Sequence, residues 1–586
     1  MRRIGYCLLA MVYAMSPLSA ADAVAPVGTR VADFTLPEPL TSKPWSLVEN
    51  TRDAKATVIV FSSTTCPVAS AYTTRIIDMA KRYSPDGVAF VGINSHSSDE
   101  PADVAKAAKE WKLPFPVLKD DRTTIADKLS VERVPTAIVL DATRTVRYFG
   151  RIDDQFRPGV HKAKQGTREL ANAIEAVLEG HDVKIAHTTA MGCKLTRPRA
   201  EKPGDTTTYT YTKHVSRIIQ AKCQECHRPG EAAPFSLMTY KQTIGWADMM
   251  REVVADNVMP PWHADAPRGH FKNDRRLSDA EKKTLLGWID NGCPEGDAKD
   301  AAPEPSYIDG WRLGREPDAV LKMLKPISIP ANAMFGLGFP YQYVMVGDVF
   351  EEEKWVQAIE VRPSYRAVVH HILCFIIPPG GTIFDVAGGQ FGTHLLGAFV
   401  PGDQPIINPD GYARRIAKGS RLVFEVHYTP NGRAGVDQSM IGIIYAKKPP
   451  IHELYSTAIF NPKFVIPAGV EKHEVLSEQT FDKSVTLLSL TPHMHLRGKS
   501  FRYDLITPDG KREVLLNVPK YDFNWQASYE FREARTIPAK SRIECTAIYD
   551  NSKSNPFNPD PASKVRWGTQ TWNEMMIGFA MYHEAK

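Results

Sequence analysis

Residues 484–506 read SVTLLSLTPHMHLRGKSFRYDLI, two apolar runs on either side of a His-Met-His triplet. Both runs are rich in β-branched, aromatic and aliphatic residues, which favours strands. On a strand, side chains two apart share a face, whereas on a helix the same spacing turns them roughly 200° apart. His493 and His495 can then stand side by side, as two ligands of one metal would, while Met494 points away. The competing reading is a Thr-Pro loop with two exposed histidines, and the triplet alone does not choose.

The sequence around it does more. From about 307 to the end, helical periodicity fades and short alternating runs stand between Gly, Pro, Asn and Asp clusters: QYVMVGDVF (342–350), RLVFEVHY (421–428) and SRIECTAIY (541–549). That is an all-β pattern, most simply a pair of sandwiches, placed at 307–455 and 456–586. Its histidines fall in groups: His370-His371 in VVHHILCF, His427 in EVHYTPNG, then His493 and His495, with Met575 following in TWNEMMIGFAMYH. Three imidazoles suit either oxidation state of copper, and two imidazoles with a soft thioether favour Cu(I). Neighbours on a regular strand face opposite ways, so His370 and His371 share a metal only through a bulge or different ring nitrogens. Otherwise one of them is a hydrogen-bonded core histidine. Met576 is the expected packing residue beside Met575.

This ordered series resembles the copper type II, ascorbate-dependent monooxygenases, the family of peptidylglycine α-hydroxylating monooxygenase and dopamine β-monooxygenase. The resemblance implies two copper ions, one on His370, His371 and His427 and a second, catalytic one on His493, His495 and Met575. It implies hydroxylation of a C–H bond with O2. The peptide-amidating branch carries an arginine two residues before its His-x-His and a tyrosine four after its methionine. Thr491 and Phe579 stand there, so a C-terminal glycine peptide is a poor substrate guess. The substrate, small molecule or peptide, stays open. Cys374 and Cys545 fall in different lobes, so the lobe-internal disulfides of the animal enzymes are not expected, and the aromatic run YDFNW (521–525) is expected to pack a sandwich core rather than line a pocket.

Upstream, AKCQECHRPG (221–230) contains Cys223-x-x-Cys226-His227. Two thiols at this spacing can attack the vinyl groups of one haem and hold the adjacent histidine under the iron. The alternative, a zinc knuckle, needs two more ligands at knuckle spacing. Met259 in NVMPPWHA is the expected sixth ligand, with Met249, Met250 and His263 as rivals. LSDAEKKTLLGWIDNG (277–292) reads as a helix with a Ser278/Glu281 capping box, a buried face of Leu285, Leu286 and Ile289, and an Asn291-Gly292 stop. Residues 209–297 resemble class I cytochrome c, which implies a small all-α domain with one covalently bound haem c.

The N-terminal block, 24–200, alternates apolar runs TVIVF (57–61), VAFVGI (88–93) and TAIVL (136–140) with helical patterns at Tyr72, Ile76, Ala80, Tyr83 and at Leu170, Ile174, Val177. Strands alternating with amphipathic helices make an α/β layered sheet. Cys66, after the first strand in FSSTTCPVASAY, falls at a helix start, where the dipole lowers a thiol's pKa. The block resembles the thioredoxin-like redoxins, which implies a cis Pro135 facing Cys66. Ala69 occupies the second cysteine position of C-x-x-C, and Ile59 the proline of the peroxiredoxin pattern. Cys66 is then either a redox thiol or a structural one, and Cys193 in TTAMGCKL is a possible partner that no spacing argument demands. The resemblance leaves open whether this block guards thiols or assists copper loading.

At 586 residues the chain divides into three or four domains, with boundaries at the polar, proline-bearing stretches 196–208 and 296–306. Its 72 basic and 67 acidic residues give only +5, so no nucleic-acid partner is implied. Residues 1–23 have the charge, apolar run and Ala21-Asp22-Ala23 site of a signal peptide, which predicts a periplasmic or secreted protein with no membrane span after cleavage. Seven cysteines besides Cys7 remain, an odd number that suits separate tasks rather than a disulfide framework. The expectation is a multidomain chain: α/β thioredoxin-like fold, all-α cytochrome c domain, all-β sandwich pair. It would act as an exported copper monooxygenase fed by ascorbate or by an external donor to the haem. The other classes are a haem and copper electron-transfer or copper-binding protein without hydroxylase activity, and a thiol peroxidase.

Overall fold

The computed structural model describes residues 27–585 except 159, 163–164, 198–208, 232, 309, 332–338, 384–393 and 403. The signal-peptide segment 1–23 and most of the first linker lie outside the described residues. Among those described, no helix is long and apolar enough to cross a membrane.

The N-terminal block is a five-stranded sheet of β1 (Ala56–Ser62), β2 (Val88–Asn94), β3 (Val117–Lys119), β4 (Thr136–Asp141) and β5 (Val146–Gly150) in the order β3-β2-β1-β4-β5. The first three run parallel, and β4 and β5 are antiparallel to their neighbours. α1 (Pro67–Tyr83), α2 (Pro101–Glu110) and α3 (Glu169–Leu178) accompany it. Tyr72, Ile76, Ala80 and Tyr83 are the buried stripe of α1. Covered by helices, β1 and β4 are buried at nearly every position, which is why they read as unbroken apolar runs. Cys66 is the N-cap of α1, with Pro67 in the first turn, and the Val134-Pro135 bond is cis.

Four helices follow: α4 (Ser216–Lys222), α5 (Tyr240–Gly245), α6 (Ala247–Ala255) and α7 (Asp279–Asp290). The Ser278/Glu281 capping box is formed, and Asn291 ends α7. Its buried face is Leu285, Trp288 and Ile289; Leu286, expected there, is only half-buried, because Trp288 Nε1 turns inward to donate to the Pro294 carbonyl. A Cβ on Gly287 would lie 3.1 Å from the Tyr209 ring, so its absence lets that ring lie against α7. One hydrophobic core runs from the N-terminal sheet into these helices, joining residues such as Ile138 and Leu195 to Trp246, Leu285 and Trp288. The polar linker separates the segments in sequence and not in packing.

The rest is β-rich. In the first sandwich one sheet runs Ala319–Lys322, Met440–Tyr445, Lys354–Arg362, Tyr412–Ile416, His452–Glu453. The other holds β6 (Gln342–Val346), β7 (Val369–Ile377), β8 (Leu395–Phe399) and β9 (Arg421–Tyr428), ordered β6-β9-β7-β8. The second sandwich has a sheet of His473–Thr480, Arg542–Tyr549, Gly498–Ile506 and Arg512–Val518. Opposite it lie β10 (Tyr455–Phe460), β11 (Val485–His493), β12 (Tyr529–Ile537) and β13 (Ile577–Glu584), ordered β10-β13-β11-β12.

Strand parity sorts the side chains of these sheets. On β7 and β9, Ile372, Cys374, Ile376, Leu422, Phe424 and Val426 fill the first sandwich's core. Phe375, Ile377 and Val423 face the other way, into an apolar cluster with Met575, Ile577 and Phe579 of the second sandwich. Met494 and Met576 fill the second sandwich's own core. The chain between α6 and α7 also reaches this lobe. Asp265 N donates to Asn517 O at 2.8 Å, Phe271 bridges to Phe531, and the Trp262 ring packs edge-on against Tyr529 at 5.1 Å.

The shared core of the first two segments rests on Trp246, 2% exposed and stacked on Phe235 at 3.7 Å with His96 at 4.6 Å on the N-terminal side. Trp246→Ala is expected to cost about 3–5 kcal/mol, the usual range for emptying a buried aromatic site. Calorimetry should show the N-terminal sheet and the helical segment melting together at lower temperature; two separately shifted transitions would contradict the single core.

Candidate metal centre

His371 lies on β7 and pairs across the ladder with His427 on β9. The register slips between Val369 and His371, leaving His370 as the extra residue of a bulge. That bulge answers the parity problem of adjacent histidines. His370 Nδ1 and His371 Nδ1 lie 3.1 Å apart, and ligand atoms of His370, His371 and His427 all fall within 4.8 Å of one another.

His493 is the last residue of β11 and pairs with Ile577 of β13. The ladder ends there, and the His495 ring lies 5.2 Å from that of His493. The strand reading therefore holds for His493, and His495 follows where the chain begins to turn. The turn is clamped by Glu574: its Oε2 accepts from His495 N at 2.9 Å and its Oε1 from Arg497 N at 2.7 Å. Burial pushes the Glu574 carboxyl up to about 7, opposed by Arg497, itself 2% exposed. A Cβ on Gly498 would come within 2.8 Å of Met494 Cβ and of the Tyr521 ring, so only glycine fits the close approach after the turn.

The two histidine groups meet across the lobe interface. The His371 and His493 rings are 6.1 Å apart, and Tyr341 lies among them, 4.6 Å from His427, 5.6 Å from His371 and 6.1 Å from His495. Three of the five imidazoles are oriented by a hydrogen bond at one ring nitrogen. His493 Nδ1 is 2.6 Å from Gln526 Oε1, His495 Nδ1 is 3.3 Å from Asn573 O, and His427 Nε2 is 3.1 Å from Thr571 Oγ1, a contact between lobes. The opposite nitrogens of His427 and His495, together with His371 Nε2, are buried and make no hydrogen bond among the described residues. Burial holds His493 down to about 4, and holds His371, His427 and His495 well below the usual histidine range, with neighbouring imidazoles adding to the effect. Neutral rings with aimed lone pairs are what a metal requires.

Phe523 corrects the expectation for YDFNW: its ring stacks on His370 at 4.7 Å and 17°, and so belongs to the centre. Tyr521 does pack, its hydroxyl bonding the Met494 backbone. Tyr341, Gln526, Thr571 and Asn573 were not legible as site residues, since single aromatic or amide side chains on strands carry no spacing signal. Glu574 had one, its place directly before Met575. Thr491 Oγ1 bonds Ser528 Oγ at 2.7 Å, and Phe579 lies in the interlobe cluster. Cys374 and Cys545 are buried free thiols in separate cores.

In the helical segment, Cys223 and Cys226 are free thiols, and burial raises both, Cys223 up to about 12. His227 Nδ1 lies 3.2 Å from Phe235 O, which leaves Nε2 as its ligand atom, and burial pushes the ring down to about 4. Met259 is half-buried in the turn after α6, Met250 is in the shared core with Met249 against it, and His263 lies on the stretch that reaches the second sandwich, with Asp522 as its charged neighbour.

Cys66 and Cys193 are joined as a disulfide with Cα atoms 6.1 Å apart. Cys193 is held in register opposite Val134, beside Pro135, by a two-residue ladder. A cavity of about 940 Å³ opens between the segments, with Cys66 and Pro67 on one part of its wall and His370, His427 and Phe523 on another.

Residues 27–149 match the AhpC/TSA family. No curated protein matches the chain. Among solved structures it is similar to a hypothetical protein from Sinorhizobium meliloti 1021, at 30% identity over 30% of this chain and 96% of that one, with a TM-score of 0.28. An uncharacterized conserved protein from Geobacillus kaustophilus is 28% identical over 31% and 96%, with a TM-score of 0.27. Peroxidoxin BcpB from Mycobacterium tuberculosis is 23% identical over 26% and 97%, with a TM-score of 0.21. The N-terminal α/β unit of this chain is thus an AhpC/TSA domain of thioredoxin-like fold, followed by a large β-rich region.

Proposed function

We propose that this chain is an exported copper-dependent monooxygenase that hydroxylates a C–H bond with O2. The observation that carries the reading is the convergence of five imidazoles from two sandwiches, four of them buried and held below the usual histidine range, three of these with a buried nitrogen that makes no hydrogen bond among the described residues. An apolar core has no use for such atoms, because an unsatisfied buried polar group costs about 1–3 kcal/mol.

His370, His371 and His427 would hold one copper ion, and His493, His495 and Met575 a second. Bound copper would store one electron at each position and, beside the thioether, activate dioxygen. Everything else falls to the chain. Gln526 and Asn573 O fix the tautomers of His493 and His495, and Glu574 holds the turn that carries His495. Tyr341 and Phe523 cover the rings and keep water from them. The cavity along His370 and His427 also reaches Leu496, Thr571 and Trp572, beside the His493 and His495 group, and substrate would approach that group through it. The net reaction takes RH, O2, two electrons and two protons to ROH and water.

Cys223, Cys226 and His227 would hold a covalent haem c, with Met259 as a further residue that would hold its iron. The donor set fits, since a histidine whose Nδ1 is tied to a carbonyl presents Nε2 in a fixed direction. Such a haem would pass single electrons from an external donor, with ascorbate as the alternative reductant. The AhpC/TSA domain and its disulfide support a redox role for the whole, in the periplasm or outside the cell.

Oxygen uptake with ascorbate, measured over a panel of C–H substrates, should be substrate-dependent in wild type and lost in Met575→Ala with the fold intact. Uptake that no substrate stimulates would favour a copper-binding or electron-transfer protein. Gln526→Ala is expected to weaken copper affinity by about 10–100-fold, the usual effect of removing an orienting partner, as read by competition with a chelator; unchanged affinity would remove His493 from the ligand set. Reduced haem should reoxidise faster in copper-loaded than in copper-free protein, and equal rates would exclude the haem as donor.

A further inference from the structure

We propose that Cys66 and Cys193, in their dithiol form, are a two-electron reductant for the histidine centre, acting across the cavity that Cys66, His370 and His427 line. The inference rests on the copper reading above and adds to it an internal electron source.

Three observations converge on this pair. Cys66 is 0% exposed and Cys193 4%, so the disulfide meets almost no outer surface. Cys66 does border the cavity, together with His370 and His427 of the three-histidine group. The partner comes from a separate ladder: Ala69 occupies the local C-x-x-C position, while Cys193 is held opposite Val134, whose carbonyl lies 3.4 Å from Cys66 Sγ. The pair is therefore built for closure between fixed elements, with the cavity as its outlet.

The chemistry matches in number. Closing the dithiol breaks two S–H bonds, forms one S–S bond and releases two electrons and two protons. A hydroxylation consumes two electrons and two protons, so one dithiol supports one turnover. One electron goes to each of two Cu(II) ions, giving Cu(I), and the protons end in the water that is formed. Cys66 is the N-cap of α1, so the dithiol closes at the end of a fixed helix. The spent disulfide is reopened by a small external thiol that reaches Cys66 through the cavity.

The test uses the full haem-loaded chain, freed of copper and reduced with a phosphine that is then removed anaerobically. Two equivalents of Cu(II) are added per chain. Electron paramagnetic resonance follows Cu(II), peptide mapping follows Cys66 and Cys193, and the haem spectrum reports any electron taken from iron. The expected result is loss of the Cu(II) signal at the rate at which the disulfide reforms, one disulfide for every two Cu(II). In Cys193→Ser the bound Cu(II) signal should decay slower by an order of magnitude or more. In His371→Ala, with the dithiol intact, disulfide formation should slow as well, which separates transfer from the centre from oxidation by free metal. Equal decay in wild type and Cys193→Ser overturns the inference, as does bound Cu(II) beside a persistent dithiol, or Cu(I) held by unoxidised thiols. Wild type that binds no Cu(II) at all overturns the copper reading first and this inference with it.

Discussion

The candidate metal centre depends on one packing constraint, the apolar seam that holds the two sandwiches face to face. Phe375, Ile377 and Val423 from the first lobe interlock with Met575, Ile577 and Phe579 from the second. The same strands carry the histidines. His371 shares the face of Phe375 and Ile377 on β7, His427 that of Val423 on β9, and His493 is paired with Ile577 of β13. Burial of the seam, at about 25 cal/mol per Å² of apolar surface, thus fixes the distance between two ligand groups that neither sandwich could assemble alone. Both faces of β7 and β9 are therefore buried along most of their length.

Within that frame three of the rings are each locked by a different oxygen: Gln526 for His493, Asn573 O for His495, Thr571 for His427. Because Thr571 belongs to the second lobe, the seam and the ligand geometry are coupled. The N-terminal domain and the helical segment share a core with each other, and the stretch 260–277 ties the helices to the second sandwich. Cys66 of the disulfide and His370 and His427 of the histidine centre thereby line one cavity.

Much of this was legible in the residues. Alternation flagged the strands, so the parity of Met494, Met576 and the His-x-His pair could be read before any coordinates. The adjacent histidines called for a bulge, for different ring nitrogens or for one histidine in the core, and parity alone did not choose the bulge that the ladder shows. What escaped was non-local. The Cys66–Cys193 bond follows from a ladder between residues 133–134 and 193–194, and no spacing encodes it. Phe523 read as packing because a stacked aromatic on a metal-facing histidine has the same sequence signature as one in a core. The shared core of the first two segments was hidden by a polar linker that marks a boundary in sequence while the helices fold back across it. Trp288 replaced Leu286 on the buried face of α7 because its indole N–H finds a carbonyl there.

The account's central claim is that two ligand groups, one from each sandwich, form two metal positions at a single interface. The most direct measurement is copper bound per folded chain after anaerobic loading with Cu(I), in wild type, His371→Ala and His495→Ala. The account predicts two ions in wild type and one in each variant. A folded wild-type chain that binds none, or variants that each keep two, would contradict it.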